Sequence, residues 1–340
     1  MAFALLLLPA WVPAQDWSGA SLRAARTLRL PPGYQVDVLA VGFRLPQDLA
    51  LEPPDGLWLL TQADPVGRGA GALVRLPVDG PTPLEAARLA AISIPFSPDP
   101  ARFRMGSLAR HPATGDLFVA ERLGRHIIRV SPSGQSLLYA RGANLLADSR
   151  SLAFDANGRL LVLDFTGRRV VAEVGPSDPL DAPGDRETTE FPLLYRLDVD
   201  EPLPVPRNLE YATRVFPPAA FRRRDASVPR YVGVLALPTG DVILSGVGGD
   251  IDRLRPDGTV ASIAKLATKR VVAVGGHGEL YAVDFLGGQI VQILADGAVR
   301  PFAEGLARPA AVAVDPNGTV FVAEDTGRVL RLRPTAGASR

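Results

Sequence analysis

The stretch "RPAAVAVDPNGTVFVAEDTGRVLRLRP" (308–334) decides the fold. Two apolar runs, 310–314 and 320–323, flank a turn that ends in Gly318, and a third run, 329–332, follows the small-residue turn after Glu324 and Asp325. Apolar, β-branched runs around glycine-bearing turns predict antiparallel hairpins. The runs are nearly continuous rather than alternating, so both faces of these strands are expected to be buried. Read alone, the acidic pair is either a metal or catalytic site or a device of the turn.

The same pattern recurs five times upstream, as "PQDLALEPPDGLWLLTQ" (46–62), "GSLARHPATGDLFVAER" (106–122), "SRSLAFDANGRLLVLDF" (149–165), "YVGVLALPTGDVILSG" (231–246) and "RVVAVGGHGELYAVDF" (270–285). The turn glycines Gly56, Gly115, Gly158, Gly240, Gly278 and Gly318 are spaced by 59, 43, 82, 38 and 40 residues. About 40 residues is the length of a four-stranded propeller blade. Third strands are expected at "ALVRLPVDG", "HIIRVSPSG", "RVVAEVGP", "DIDRLRPDG", "QIVQILADG" and "RVLRLRP". The last copy lacks a fourth strand, whereas "YQVDVLAVGF" (34–43) resembles the fourth strand "AVRPFAEGL" (298–306). The N-terminal strand is therefore expected to complete the sixth blade, which removes the exposed sheet edges of an open array. The fold class is all-β, a six-bladed β-propeller of four-stranded blades spanning 34–334. The 82-residue spacing reads as an insertion over 175–229, Pro-rich and holding a strand near "FPLLYRLDV", rather than a seventh blade. Insertions of that length in compact domains are often binding loops or lids.

The composition narrows the function classes. A net charge of +1 argues against nucleic acid, whose phosphates call for a basic domain. Of the basic residues only Lys265 and Lys269 are lysines, so a usage bias discounts arguments from arginine. With no cysteine, disulfides and thiolate chemistry are excluded. The N-terminus "MAFALLLLPAWVPAQDW" carries an apolar stretch and a small-residue cleavage site before Gln15, although its first basic residue is Arg23. A signal peptide over 1–14, a linker over 15–33 and a tail over 335–340 are expected, with export to a periplasmic or secreted location. No segment is long enough to span a bilayer as a helix. Nothing calls for a second copy, and a monomer is expected.

The units, "DPNGTVFVAEDTGRVLRL" most clearly, resemble NHL-type repeats of a TolB-like six-bladed propeller over about 34–334. The resemblance implies the fold and leaves activity open, because this fold hosts unrelated functions. Propeller topology brings the ends of second strands and the segments leading into first strands to one face around the channel. The second-strand ends supply Gln62, Glu121, Asp164, Ser245, Asp284 and Glu324. The lead-in segments supply Arg44, Arg104, Arg150, Arg230, Arg270 and Arg308. A mixed-charge mouth of this kind suits a small polar or anionic ligand, since arginine grips carboxylate and phosphate. Against it stands the reading that the recurring acids cap their own turns. Gln62 and Ser245 depart from the acidic pattern and are the more informative copies.

Two enzyme branches follow from further resemblances. The first blade is similar to the start of gluconolactonase/SMP-30 enzymes, whose metal-binding Glu falls at Gln47; the other expected ligands fall near Tyr231 and Val232 and at Ala310 or Ala311. An amide is a poorer ligand for a divalent cation than a carboxylate, and Asp48 is the only acid beside these positions. The start "LPPGYQVDVLAVGFRLPQDLAL" is similar to soluble quinoprotein sugar dehydrogenases, which need a His general base. The corresponding lead-in, "RFRMGSLA", has none. His111 and His277 fall in turns on the other face, and His126 follows a second strand. "GRGAG" (67–71) precedes no helix, and "FRRRD" (221–225) reads as a solvated loop. The expectation is a binding scaffold for a small polar or anionic molecule or a protein partner, with no cofactor. A divalent metal or PQQ enters only under the enzyme alternative, a sugar- or lactone-directed activity.

Overall fold

A computed structural model describes residues 28–61, 71–94, 105–121, 126–141, 149–167, 191–200, 207–208, 213–216, 231–246, 248–266, 270–274 and 279–335. Six sheets, each of four antiparallel strands, form a ring, and two of them gain a short fifth strand that pairs in parallel. In each blade the first strand lines the axis and the second is sandwiched between neighbours, so four of the second strands bury every residue: Gly56–Thr61, Leu117–Glu121, Val242–Gly246 and Val320–Glu324. That two-sided burial is why the apolar runs are unbroken. Six separate apolar clusters fill the gaps between successive blades, and each draws side chains from two adjacent sheets.

The ring closes as the repeat pattern predicts. Tyr34–Val41 pairs antiparallel with Arg328–Pro334, from Tyr34 opposite Pro334 to Ala40 opposite Val329, with one bulge at Leu39. Leu39 is fully buried in the cluster that joins the sixth blade to the first, beside Phe43, Leu57 and Val329. A second layer of the clasp is the short strand Leu84–Glu85, which adds in parallel to Ala40 and Val41.

Every first strand carries a one-residue bulge near its start. In the first, second, third, fourth and sixth blades the residues skipped are Gln47, Gly106, Arg150, Val232 and Ala310. A bulge sharpens the local twist and turns the strand toward the axis. A second repeated device, seen in the fourth, fifth and sixth blades, holds the segment that leaves the fourth strand toward the next blade. The carbonyls of the turn glycines Gly249, Gly288 and Gly327 accept the N–H groups of Leu266, Leu306 and Phe43, at 2.7, 2.8 and 3.1 Å. Gly327 has φ +103°, and a Cβ there would meet the Phe43 carbonyl oxygen, so only glycine fits.

The third blade differs from expectation. Leu160–Gly167 pairs with Phe191–Leu197, which is the blade's third strand, and Thr213–Phe216 is its fourth. The expected third strand "RVVAEVGP" falls outside the described residues except that its place is taken. The strand read near "FPLLYRLDV" within 175–229 thus belongs to the third blade, paired along Leu160 to Asp164. Residues 1–27 and 336–340, and "FRRRD", lie outside the described residues.

Leu39→Ala should lower unfolding stability by about 2–5 kcal/mol, the usual cost of truncating a buried leucine. A urea midpoint equal to that of the parent would show that the N-terminal strand does not hold the ring.

Candidate functional site

The axial cavity, about 450 Å³, is lined by the first strands of blades one to four. Its polar groups form a chain of hydrogen bonds from blade to blade. The Asp48 carboxylate accepts from the Leu49 N–H at 2.9 Å and, across the blade boundary, from the Ser107 hydroxyl and the Leu108 N–H, both at 2.8 Å. Ser107 Oγ accepts the Leu152 N–H of the third blade, and Ser151 Oγ the Val234 N–H of the fourth, each at 3.1 Å. These three residues stand at one repeat position, just after the bulge, and each serves the next blade's following residue. Gly233 holds that position in the fourth blade and Ala311 in the sixth, so the chain of side-chain oxygens stops after Ser151. This girdle is a structural use of polar groups that sequence reasoning missed, because Ser107 and Ser151 look unremarkable until the register aligns them with Asp48.

The second-strand ends occupy the opposite mouth differently from expectation. Glu121, Asp164 and Glu324 are 0–1% exposed, so they do not form a solvent-facing acidic ring. Glu324 accepts the Ala307 N–H at 2.7 Å and is paired with the buried Arg328 guanidinium. It therefore anchors its own blade's lead-in segment. Register places Thr61, not Gln62, opposite Pro46 as Glu324 is opposite Pro309. The Thr61 hydroxyl donates to the Arg44 carbonyl, doing with a neutral group what Glu324 does with a charge. In the fourth blade the matching residue is Gly246 rather than Ser245; Ser245 is buried, and its hydroxyl has no hydrogen-bond partner among the described residues. Asp284 accepts the Gly287 N–H at 2.8 Å and the Gln289 amide at 3.1 Å, which caps its own turn. Gln62, Arg104 and Arg230 lie outside the described residues, as does the side chain of Arg270; Arg150 is half-buried at its bulge.

Arg308 remains at the mouth. Its side chain is 62% exposed, pairs with Asp325 at 2.7 Å, and lies over the Phe285 ring at 4.9 Å. Among the described residues Arg308 and Leu45 are the two non-glycine residues with positive φ, at +57° and +47°, and both directly precede the proline that opens a first strand. Left-handed backbone at such residues costs roughly 1–3 kcal/mol and concentrates at functional sites. Leu45 and Leu286, 44% and 79% exposed, are large apolar side chains on the same face.

The residues at the expected lactonase metal positions do not suit a divalent cation. Gln47 donates its amide to the Leu45 and Pro46 carbonyls, and the Tyr231 hydroxyl donates to the buried Asp252. Ala310 and Ala311 offer no side-chain donor. Among the described residues no three His, Asp or Glu side chains converge as metal ligands would. His111 is buried on the far side, edge-on to Phe154 at 4.9 Å, with Nδ1 accepting the Thr114 N–H. His126 stands opposite Glu121, where the sixth blade has Arg328 opposite Glu324. Burial holds its pKa below the ordinary 6.5, Glu121 raises it in part, and Arg141 lowers it.

No family model matches the chain, and no curated protein matches it in sequence. Solved structures do resemble it. Virginiamycin B lyase from Staphylococcus aureus is 13% identical with a TM-score of 0.58, over 88% of this chain and 99% of that one. A protein proposed to be a gluconolactonase is 15% identical with a TM-score of 0.58, over 91% and 100%. An auxiliary nutrient binding protein from Bacteroides thetaiotaomicron is 11% identical with a TM-score of 0.56, over 86% and 69%. At these identities the likeness shows the six-bladed propeller fold and nothing more. Among the described residues no helix is long and apolar enough to cross a membrane.

The lowered pKa of His126 has a testable sign. The unfolded chain takes up a proton near pH 6.5 and the folded chain only at lower pH, so stability is lost as pH falls from above 6.5 through the lowered folded value. His126→Gln should flatten that part of the stability profile; an unchanged slope in urea titrations between pH 7 and about 5 would contradict it.

Proposed function

We propose that this protein is a binding scaffold whose ligand is a small molecule with an anionic group, held at the channel mouth over blades five, six and one. The observation that carries the reading is Arg308: an exposed guanidinium kept by strained backbone between an aromatic ring and one carboxylate. An arginine placed in this way is oriented before a ligand arrives, and oriented guanidinium groups engage carboxylate or phosphate with little further ordering. Leu45 and Leu286 supply apolar surface for the body of such a ligand. The binding reading is also supported by the occupation of the other candidates, since Asp48, Asp284 and Glu324 already hold backbone groups. It calls for no cofactor.

Arg308→Gly separates this reading from a structural one. Glycine relieves the positive φ, so thermal stability should hold or rise, while ligand binding is lost. The measurement is a thermal-shift panel of sugar acids, other carboxylates and lactones on both proteins, repeated with Ca²⁺ and with PQQ. Stabilisation by an anionic member that the variant loses supports the proposal. Turnover of a lactone or sugar that requires the metal or PQQ and vanishes on changing Gln47 or Asp48 would replace it with the enzyme reading.

The proposal includes export, on the apolar stretch ending at Ala14. Protein recovered outside the cytoplasm should begin at Gln15 by N-terminal sequencing; an intact Met1 on that material would remove this part.

A further inference from the structure

The third strands carry a repeated arginine. Arg75, Arg129, Arg196, Arg253 and Arg331 stand at one repeat position, opposite Trp58, Phe118, Leu161, Ile243 and Phe321 of the second strands. The fifth blade has Gln292 opposite Tyr281. Four of the five arginines have a carboxylate. Arg75 pairs with Glu52 and Asp55, Arg129 with Asp116, Arg253 with Asp241 at 3.9 Å, and Arg331 with Asp37 at 3.3 Å.

Arg196 is the exception, and the sequence of its own blade explains it. In the second and fourth blades the acid is the residue just before the second strand, Asp116 before Leu117 and Asp241 before Val242. At that place the third blade has Arg159, before Leu160. The repeat's ion pair is thereby replaced by two like charges. Arg159 takes Asp155 as its partner, Nε to Oδ2 at 2.8 Å, and the other oxygen of Asp155 accepts the N–H groups of Asn157 and Arg159. Arg196, half-buried, is left with no hydrogen-bond or ion-pair partner among the described residues.

Arg159 and Arg196 line one cleft of about 290 Å³ between blades three and four, at the end of the barrel opposite the mouth. Arg255 of the fourth blade joins them, its Nη1 making a 3.4 Å contact with Thr259 Oγ1. Val215, Leu254 and Pro256 form the apolar part of the lining. Asp155, which already accepts three hydrogen bonds, is the one carboxylate among the lining residues; Arg255 also has Asp257 of its own turn nearby, so among the described residues Arg196 is the one of the three without a counter-charge. A half-buried charge without a counter-charge is costly, and a ligand that supplies one recovers that cost. The volume is near the lower end of small-molecule sites, about 300–1,000 Å³.

We infer that this cleft is a second binding site, for a small organic anion whose carboxylate or phosphate meets Arg196 and Arg159 while its compact apolar body rests on Val215, Leu254 and Pro256. It is independent of the mouth, because it uses no residue assigned there. The test measures binding of inorganic phosphate, phenyl phosphate and benzoate by calorimetry to the whole protein, against sodium chloride at matched ionic strength. Arg196→Gln and Arg159→Asp are the variants. The second rebuilds the ion pair of the other blades, so it should fold at least as well as the parent while losing the site. Phenyl phosphate or benzoate should bind the parent, and each variant should weaken that binding at least about tenfold. Which of the two binds assigns the anion as phosphate or carboxylate. No binding of any probe by the parent, or binding that both well-folded variants retain, overturns the inference.

Discussion

Each blade buries one face of its inner hairpin against the blade before it and the other against the blade after it. No blade can be stable alone under that constraint, and a ring with a gap would leave two apolar faces in water. The pairing of Tyr34–Val41 with Arg328–Pro334 is what removes the gap. Everything else at the axis depends on it. The lead-in segments meet at the mouth only because six sheets are held at fixed angles, and the bonds from Asp48 to Ser107 and on to Leu152 can form only between blades that touch.

The fold was legible because its signal is repeated. Six copies of an apolar run, a glycine turn and a second apolar run average out the irregularities of any one copy, and the stray similarity between the N-terminal strand and the fourth strands revealed the closure. The third blade was read less well. Its third strand lies beyond a long connection, and nothing short of the pairing of Leu160 with Leu197 distinguishes "FPLLYRL" from "RVVAEVGP" as the partner.

The site was legible only in part, for a different reason. Sequence reasoning ranks residues by type, whereas the fold assigns work by register. Thr61 and Glu324 share one task through different chemistry, so the acid was noticed and the threonine was not. A shift of one residue moved attention to Gln62 in place of Thr61 and to Ser245 in place of Gly246. The same logic made Arg196 invisible among 35 arginines. It becomes distinct only beside the paired arginines of the other blades, where a repeated charge pattern makes one reversal measurable as an excess.

The clasp also fixes how the molecule would bear load. Tyr34 and Pro334 are opposite each other at the same end of one antiparallel ladder, so both chain ends leave the ring side by side. The Thr335 N–H bonded to the Gly33 carbonyl at 2.7 Å, and the bridge between Arg29 and Glu304, extend the grip just beyond it. Tension applied between the two ends would therefore peel the ladder rung by rung instead of shearing all its bonds together. A propeller sewn shut in this way resists heat through its whole circumference and resists pulling through one hydrogen bond at a time.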